Sequence, residues 1–198
     1  MTGKTHLVCG EALALCLLHP DTPRALVLCL GAAAVGGVVS DVDVTTSTSH
    51  RELVRIVSTA GAALLLGWAL NTIFQLHIER FLLRYAGAKE MAAWAVLFLG
   101  LCVFGATQPH RSFMHSLAGL ALLTFCVWRG AEPLAGAFFV AMASHILLDL
   151  LNRKGVRLLY PAGWSWSLDL CSADGAADRV LCGVGSLLMV AGIVRSLL

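Results

Sequence analysis

The chain has 198 residues, of which 58% are hydrophobic and only 13% are charged, and its net charge is +2. A soluble globular domain carries about a quarter charged residues, so this chain has about half of the charge that a soluble surface needs. Its apolar content also excludes intrinsic disorder, and it has no basic stripe of the kind that binds nucleic acid. The composition therefore indicates a single integral membrane domain over residues 1–198, with little mass outside the bilayer.

Seven apolar segments follow one another along the chain and predict seven helices. A helix that spans a bilayer needs about 20 apolar residues, and the first and fifth segments are shorter than this, so they can be re-entrant or tucked into the bundle. The predicted fold class is all-α, a polytopic transmembrane helical bundle of about 5–7 membrane helices. Recurring small residues on the helices suit close packing and would permit a homodimer. The segments are residues 7–18, 25–39, 53–76, 91–107, 117–128, 134–151 and 180–198.

Ionisable residues near the helix ends are informative, because such residues are costly in a membrane and mark functional sites there. When seven antiparallel helices are threaded through a bilayer, five helix ends that carry histidine or aspartate meet at one membrane face. These are the start of the first helix, the ends of the second, fourth and sixth, and the start of the fifth. We therefore expect one polar site at this face. Its residues are His6, Asp41, Asp43, His110, His115, His145 and Asp149.

Histidine and aspartate without cysteine form a ligand set that suits Zn²⁺, with Mn²⁺ or Fe²⁺ as alternatives. His145 and Asp149 are four residues apart, so they share one helix face and can bind the same ion. The candidate ligands outnumber the four that one tetrahedral ion takes. This excess indicates two metals, or one metal with further carboxylates around it, and the sequence predicts about one to three ions.

Each of these residues also has a purely structural interpretation. His145 and Asp149 can form a buried hydrogen-bonded pair that holds helices together. Asp41 and Asp43 can belong to a solvated turn, and His110 can be a loop residue that follows a proline. The shared location at one membrane face favours the metal interpretation over these alternatives.

Four sequence blocks, in order along nearly the whole chain, resemble the YdjM family of inner-membrane, metal-dependent hydrolases. The resemblance implies an inner-membrane, multi-pass location of bacterial type and metal ligation by the seven residues named above. The family's metal-site style is also similar to that of zinc-dependent phospholipases C, which implies phosphoester chemistry. The blocks are Met1–His6, Ser40–Asp43, His110–Ser116 and His145–Pro161.

The chain departs from the family pattern in two of these blocks. The family usually has Pro-Asp-x-Asp-His, whereas this chain has Ser40 before the first aspartate and Val44 after the second. The family usually has His-Arg-Gly-x-Thr-His, whereas this chain has Ser112 and Met114 at the glycine and threonine positions. The change at position 44 removes one possible ligand, and the change at position 114 removes a hydroxyl group.

A hydrolytic mechanism at this site would use three residues. Asp41 or Asp43 would bridge the metals or activate water, and Arg111 would either stabilise the phosphate charge with its guanidinium fork or anchor a lipid headgroup. The segment 152–179 lies on the same face and contains Trp164 and Trp166, and this segment either caps the site or lies in the aromatic belt. A site at headgroup level suggests an amphiphilic phosphoester such as a phospholipid or a polyprenyl phosphate.

Two other kinds of function fit the same residues. They could hold a structural metal or form a polar plug in a non-enzymatic membrane protein that binds a partner or regulates the envelope. They could also form a proton or metal relay in a transporter, but a relay needs polar residues through the depth of the bilayer. The clustering at one end therefore counts against transport.

The distribution of basic residues predicts that the site faces the cytoplasm. By the threading above, eight lysines and arginines lie on the site face and six lie on the opposite face, and cytoplasmic loops are enriched in both residues. On the site face they are Lys4, Arg51, Arg55, Arg111, Arg153, Lys154, Arg157 and Arg179, and on the opposite face Arg24, Arg80, Arg84, Lys89, Arg129 and Arg195.

Overall fold

The computed structural model describes residues 1–47, 50–51, 54–55, 72, 86–173 and 175–197. Within these residues, five helices and two short 3-10 turns have both of their ends described. The described residues contain no β-strand and only two isolated bridges, so the all-α prediction is confirmed. Most of the predicted helix at 53–76 lies outside the described residues, which include only residues 54, 55 and 72 of it. The elements are α1 (Gly3–Leu18), α2 (Pro23–Val39), a 3-10 turn (Ser40–Asp43), α3 (Ala86–Ala106), a 3-10 turn (Phe113–His115), α4 (Leu117–Leu150) and α5 (Ala176–Leu197).

Helix α4 contains both the fifth and the sixth predicted segments, and its two halves run in opposite directions. Its backbone leaves the helical region at Ala131, with φ −156° and ψ 70°, two residues before Pro133. Proline lacks the N–H of the helical ladder and disfavours helical backbone at the residue before it. A straight helix of this length would extend ~50 Å, at ~1.5 Å per residue. Instead, His115 and Asp149 at its two ends lie 3.3 Å apart, between Nε2 and Oδ2. The chain therefore reverses at Ala131, and α4 is a helical hairpin.

Four of the described helical segments are long and apolar enough to cross a membrane. They are Pro23–Asp43, Lys89–Ala106, Leu117–Leu150 and Ala176–Leu197. Their outward side chains are apolar and exposed, as lipid-facing residues are: Val27 is 68% exposed, Val96 70% and Leu187 73%. The described part of the chain is thus a polytopic helical bundle, and α1, with 16 residues, packs against α2, α4 and α5.

Glycines let the helices that carry the site approach closely. The α-carbon of Gly36 faces the backbone of Phe138, where an added Cβ would lie 2.4 Å from the carbonyl oxygen. Gly37 lies in the same way against the backbone of His6, and Gly10 against Ala141. These contacts bring α1, α2 and the second arm of α4 together just below the polar end of the bundle.

Candidate metal centre

The structure brings all seven predicted site residues together at one end of the bundle, as the threading predicts. The start of α1, both 3-10 turns, the turn at His110 that precedes the second of them, and the end of α4 supply these residues. His115 and His145 are fully buried, and His6, Asp43 and Asp149 are also buried. His110 and Asp41 are the outermost residues, with side chains 40% and 21% exposed.

Asp43 ties the two 3-10 turns to each other. Its Oδ1 lies 2.8 Å from Nδ1 of His110, and its Oδ2 accepts a hydrogen bond from the backbone N–H of Arg111 at 3.1 Å. The same Oδ2 lies 3.3 Å from Nδ1 of His115. Both oxygens of this carboxylate are therefore engaged by groups of the protein.

Asp149 links α1, the Arg111 loop and α4. Its Oδ1 accepts hydrogen bonds from the Asn152 amide at 2.9 Å and from Nη2 of Arg111 at 3.2 Å, and it lies 3.4 Å from Nε2 of His6. Its Oδ2 faces His115 at 3.3 Å. This buried carboxylate is thus surrounded by donors on both oxygens, as a buried charge requires.

His145 is oriented by a backbone carbonyl group. Its Nδ1 contacts the carbonyl oxygen of Gly37 at 2.7 Å, which leaves Nε2 directed toward Asp41, with 3.6 Å to Oδ1. Its ring stacks on that of His6 with centroids 3.7 Å apart. A backbone acceptor on one imidazole nitrogen is the arrangement that fixes the tautomer of a metal-binding histidine. His145 thus bonds to a backbone carbonyl and not to Asp149, with which the structural interpretation had paired it.

The buried ring nitrogens fit a metal ion. Nδ1 of His6, both ring nitrogens of His115 and Nε2 of His145 are buried without a hydrogen-bond partner among the described residues, although carboxylates lie at ion-pair distance from His115 and His145. Buried polar atoms normally have a hydrogen-bond partner, so these unpaired nitrogens indicate a partner that is not part of the protein, such as a metal ion.

Three groups of side chains have ligand atoms that lie within 4.8 Å of one another and could hold a metal ion. The groups overlap, because His115 and His145 each belong to two of them. Within the described residues, these groups contain all seven predicted ligands and no other residue. The groups are His6, His145 and Asp149; Asp41, His115 and His145; and Asp43, His110 and His115.

Two carboxylates control the charge of His115 when no metal competes for it. Burial alone would lower the pKa of its imidazole, but the contacts with Asp149 and Asp43 outweigh burial and raise the pKa to about 9. In this state the ring carries a proton between two negative charges. Metal ligation needs the neutral ring, so binding an ion here releases that proton.

A cavity of about 480 Å³ opens beside the cluster at the polar end of the bundle. Asp41, His110 and Arg111 reach it from the cluster, and Arg153 and Lys154 line its outer side. Arg111 has a φ of 62°, the left-handed region that non-glycine residues rarely adopt. Contacts on both sides hold it there: Asp43 accepts from its N–H, and its carbonyl accepts from the N–H of Arg157 at 2.9 Å.

Residues 152–171 support the Arg111 loop on their inner side and expose their tryptophans on the outer side. Val156 is fully buried, and the carbonyl of Lys154 accepts a hydrogen bond from Nη1 of Arg111. Trp164 and Trp166 are exposed. The segment thus has features of both predicted arrangements, with its backbone against the site and its aromatic side chains outside it.

Sequence reasoning missed three residues that hold the ligand-bearing turns. Asp178 in the first turn of α5 is buried and accepts hydrogen bonds from the N–H and the hydroxyl of Thr2, at 2.9 and 3.1 Å. Nδ1 of His50 contacts the carbonyl of Val42 at 2.6 Å, and the Ser47 hydroxyl donates to the carbonyl of Asp41. Asp178 could have been found by extending the threading to the start of the seventh helix, whereas no local pattern marks His50 or Ser47.

The residues that depart from the family pattern are accommodated by packing. Ser40, Ser112 and Met114 are fully buried, and Met114 packs against the α-carbon of Gly105. Val44 lines the cavity beside Asp41 and contributes no ligand atom there.

The comparisons with known proteins agree with this architecture. No curated protein and no solved structure matches the chain. The YdjM inner membrane protein family matches residues 1–196, nearly the entire chain. Together with the apolar helices, this match makes the chain a multi-pass protein of the inner membrane. The chain belongs to the YdjM inner membrane protein family.

Proposed function

We propose that this protein is a metal-dependent hydrolase that cleaves a phosphoester of an amphiphilic, lipid-like substrate at the bilayer surface. One observation carries the proposal: three overlapping His/Asp ligand groups border an open cavity whose other side is basic. The ligand groups can hold metal ions, and the basic side of the cavity can bind an anionic substrate.

The seven histidines and aspartates would hold one to three ions, with zinc favoured and manganese or iron as alternatives, since nitrogen and oxygen donors suit all three. A bound Zn²⁺ would supply a water of lowered pKa and a Lewis acid for the phosphoryl oxygens. Gly37 would keep His145 in the ligating tautomer through its carbonyl group, and Asn152 would hold the Asp149 carboxylate in position.

Of the two aspartates that could activate water, the contacts favour Asp41. The Asp43 side chain is fully buried, and both of its oxygens are already engaged by His110, His115 and the backbone. The Asp41 side chain is partly exposed and borders the cavity, so one of its oxygens can reach a water molecule there. We assign Asp41 to accept the proton of the attacking water and Asp43 to position the histidines.

Arg111 is suited to bind the phosphate group. Arg111 lines the cavity, and its Nε–H is buried without a hydrogen-bond partner in the described part of the chain. Nη1 and Nη2 are already held by the Lys154 carbonyl and by Asp149, which fixes the plane of the group. A fixed guanidinium with a spare donor can bind a phosphate oxygen without reorganising.

A second candidate is a non-enzymatic protein with a structural metal or a polar cluster. The deep burial of His6, His115 and His145 favours this function, because structural sites are closed to solvent. The partly exposed His110 and Asp41 at the cavity favour the enzyme, because catalytic sites keep an open position.

The metal content of the purified protein tests the centre. Full-length protein extracted in mild detergent without chelator should contain about one to three transition-metal ions per chain by elemental analysis, given the ligand count. H145A and D149A should each lose metal, because each removes a member of at least one ligand group. D169A makes the same aspartate-to-alanine change at an exposed carboxylate and should retain full occupancy. If the purified protein contains no metal, or if both site variants keep the metal occupancy of wild type, the proposed metal centre is wrong.

Hydrolysis of lipid phosphates distinguishes the enzyme from the structural alternative. The metal-loaded protein is assayed with a panel of phospholipids and polyprenyl phosphates, before and after chelation. Phosphoester cleavage that chelation abolishes supports the enzyme. Full metal occupancy with no turnover across the panel supports the structural metal.

A further inference from the structure

Residues 152–171 form an ordered surface segment that joins α4 to the approach to α5. Val156 and Trp166 exchange both of their backbone hydrogen bonds, at 2.8 and 2.9 Å. The N–H groups of Leu168 and Leu170 donate to the carbonyls of Leu150 and Leu151, at 2.8 and 3.0 Å. The backbone of this segment is therefore fixed to the end of α4.

This fixed backbone presents large apolar side chains outward. Trp164 is 68% exposed, Trp166 51%, Leu168 59% and Leu170 72%. Four such side chains within seven residues form a contiguous stretch rather than scattered surface hydrophobes. Because backbone hydrogen bonds hold Trp166, Leu168 and Leu170 in place, the exposure of their side chains is a property of the folded segment.

The same segment carries an excess of positive charge. It contains three basic residues and one acidic residue, a net charge of +2. The acid, Asp169, pairs with Arg153 at 3.3 Å. The side chains of Lys154 and Arg157 are exposed, and within the described chain no acid pairs with them.

We propose that residues 152–171 are a lipid-binding surface, in which Trp164, Trp166, Leu168 and Leu170 enter the bilayer interface while Lys154 and Arg157 bind anionic headgroups. Tryptophan is the residue that membranes favour at headgroup depth, and basic residues near an anionic leaflet are attracted to it. The segment also continues directly from the second arm of α4, residues 132–150, which at ~1.5 Å per residue is about as long as the hydrocarbon core of a bilayer is thick, so the segment lies at a membrane surface.

The surface adjoins the mouth of the cavity beside the His/Asp cluster. Arg153 and Lys154 belong both to the segment and to the lining of the cavity, so an anionic headgroup held by the segment lies at the entrance to the cavity. The lipid contact itself does not depend on the metal centre or on hydrolysis, and it can hold even if the proposed activity is wrong.

Tryptophan fluorescence in lipid nanodiscs tests the insertion. The chain has five tryptophans, so the signal of the segment is taken as the difference between wild type and W164F/W166F. In nanodiscs of phosphatidylcholine and phosphatidylglycerol, brominated acyl chains should quench this difference signal. If the two side chains are in water or covered by protein, the difference signal is not quenched, and the proposal is overturned.

The headgroup preference is tested by placing the bromine on only one of the two lipids at a time. Brominated phosphatidylglycerol should quench the difference signal more strongly than brominated phosphatidylcholine. K154Q/R157Q should reduce this local enrichment by up to about fivefold per base, which corresponds to about 1 kcal/mol for each basic residue near an anionic surface. R24Q/K89Q removes the same charge at the opposite end of the bundle and should leave the enrichment unchanged. Equal quenching by both lipids in wild type, or equal loss in both variants, overturns the role of Lys154 and Arg157.

Discussion

At the scale of single residues, Asp149 is the point on which the polar cluster converges. One of its oxygens contacts Asn152, Arg111 and His6, and the other faces His115. A buried carboxylate with this many donors stays charged, and removing it would leave several buried donors unpaired. The whole arrangement at this end of the bundle therefore depends on a side chain that α4 presents in its last turn.

The sequence could predict the ligand types but not how they are oriented. His145 and Asp149 are recognisable because their spacing places them on one helix face. The acceptor for Nδ1 of His145 is the carbonyl of Gly37, a backbone atom more than a hundred positions away. No pattern of side chains reports such a contact, because it depends on how closely α2 and α4 pack.

Asp178 is expected to stabilise the protein and to position His6, although it is not one of the proposed metal ligands. Its carboxylate accepts two hydrogen bonds from Thr2, and Thr2 in turn contacts Thr5 through the two hydroxyls at 2.9 Å. These contacts fix the first turn of α1, from which His6 projects. D178N should lower the free energy of unfolding by about 2 kcal/mol, because a hydrogen bond to a charged group contributes about 1.5–3 kcal/mol. Denaturant titration in detergent measures the loss.

A role in positioning His6 predicts more than a loss of stability. D178N should also weaken zinc binding, measured at a temperature at which the variant is fully folded. E90Q changes an exposed carboxylate at the opposite end of the bundle and should affect neither quantity. If D178N is less stable but binds zinc as wild type does, Asp178 only anchors the helix.

At the scale of helices, the approach of α2 to the second arm of α4 sets the geometry of the site. Gly36 allows it, because any Cβ there would collide with the backbone of Phe138. The next residue, Gly37, supplies the carbonyl that orients His145. Helix packing and ligand orientation are therefore coupled through two adjacent glycines.

Two glycines of α2 provide a matched test of this coupling. G36A should destabilise the protein by about 1–3 kcal/mol, the usual cost of overpacking, and should lower metal occupancy because α2 moves away from His145. G31A makes the same change on the same helix, where no described atom from outside that stretch of helix backbone lies within 4 Å of the added Cβ. It should be neutral or stabilising by up to about 1 kcal/mol, because alanine favours helix over glycine. Thermal unfolding and elemental analysis measure both effects, and equal behaviour of the two variants would contradict the coupling.

The hairpin of α4 shows what hydropathy can and cannot predict about an element. The polar break at residues 129–133 separates two apolar segments correctly, and the opposite directions of the two arms follow from the threading. The helical hydrogen bonding nevertheless continues through most of the break, with only Ala131 outside the helical region. The reversal requires just one non-helical residue near Pro133, and a hydropathy profile has no signal at that resolution.

At the scale of the whole molecule, the polar and apolar parts of the bundle are distributed unequally. The described His/Asp groups gather at one end, beside the lipid-binding surface that we propose, and the helices below them are packed through apolar and small residues. Transport of protons or metal ions requires polar groups at successive depths, and the described helices provide no such path. This asymmetry favours chemistry at one membrane surface over movement across the membrane.

The orientation of the bundle is a prediction that follows from the same asymmetry. By the threading of the sequence, the site face carries more lysine and arginine than the opposite face, so we expect it to lie in the cytoplasm. A cysteine introduced by S172C lies beside the cavity, and one introduced by D21C lies in the exposed connection between α1 and α2 at the other end. An impermeant maleimide added to intact spheroplasts should label D21C and leave S172C unlabelled, after subtraction of the reaction of the native cysteines. Both should react once the membrane is permeabilised. Labelling of S172C from outside, with D21C protected, would place the site on the outer face, so that the substrate would be a lipid of the outer leaflet.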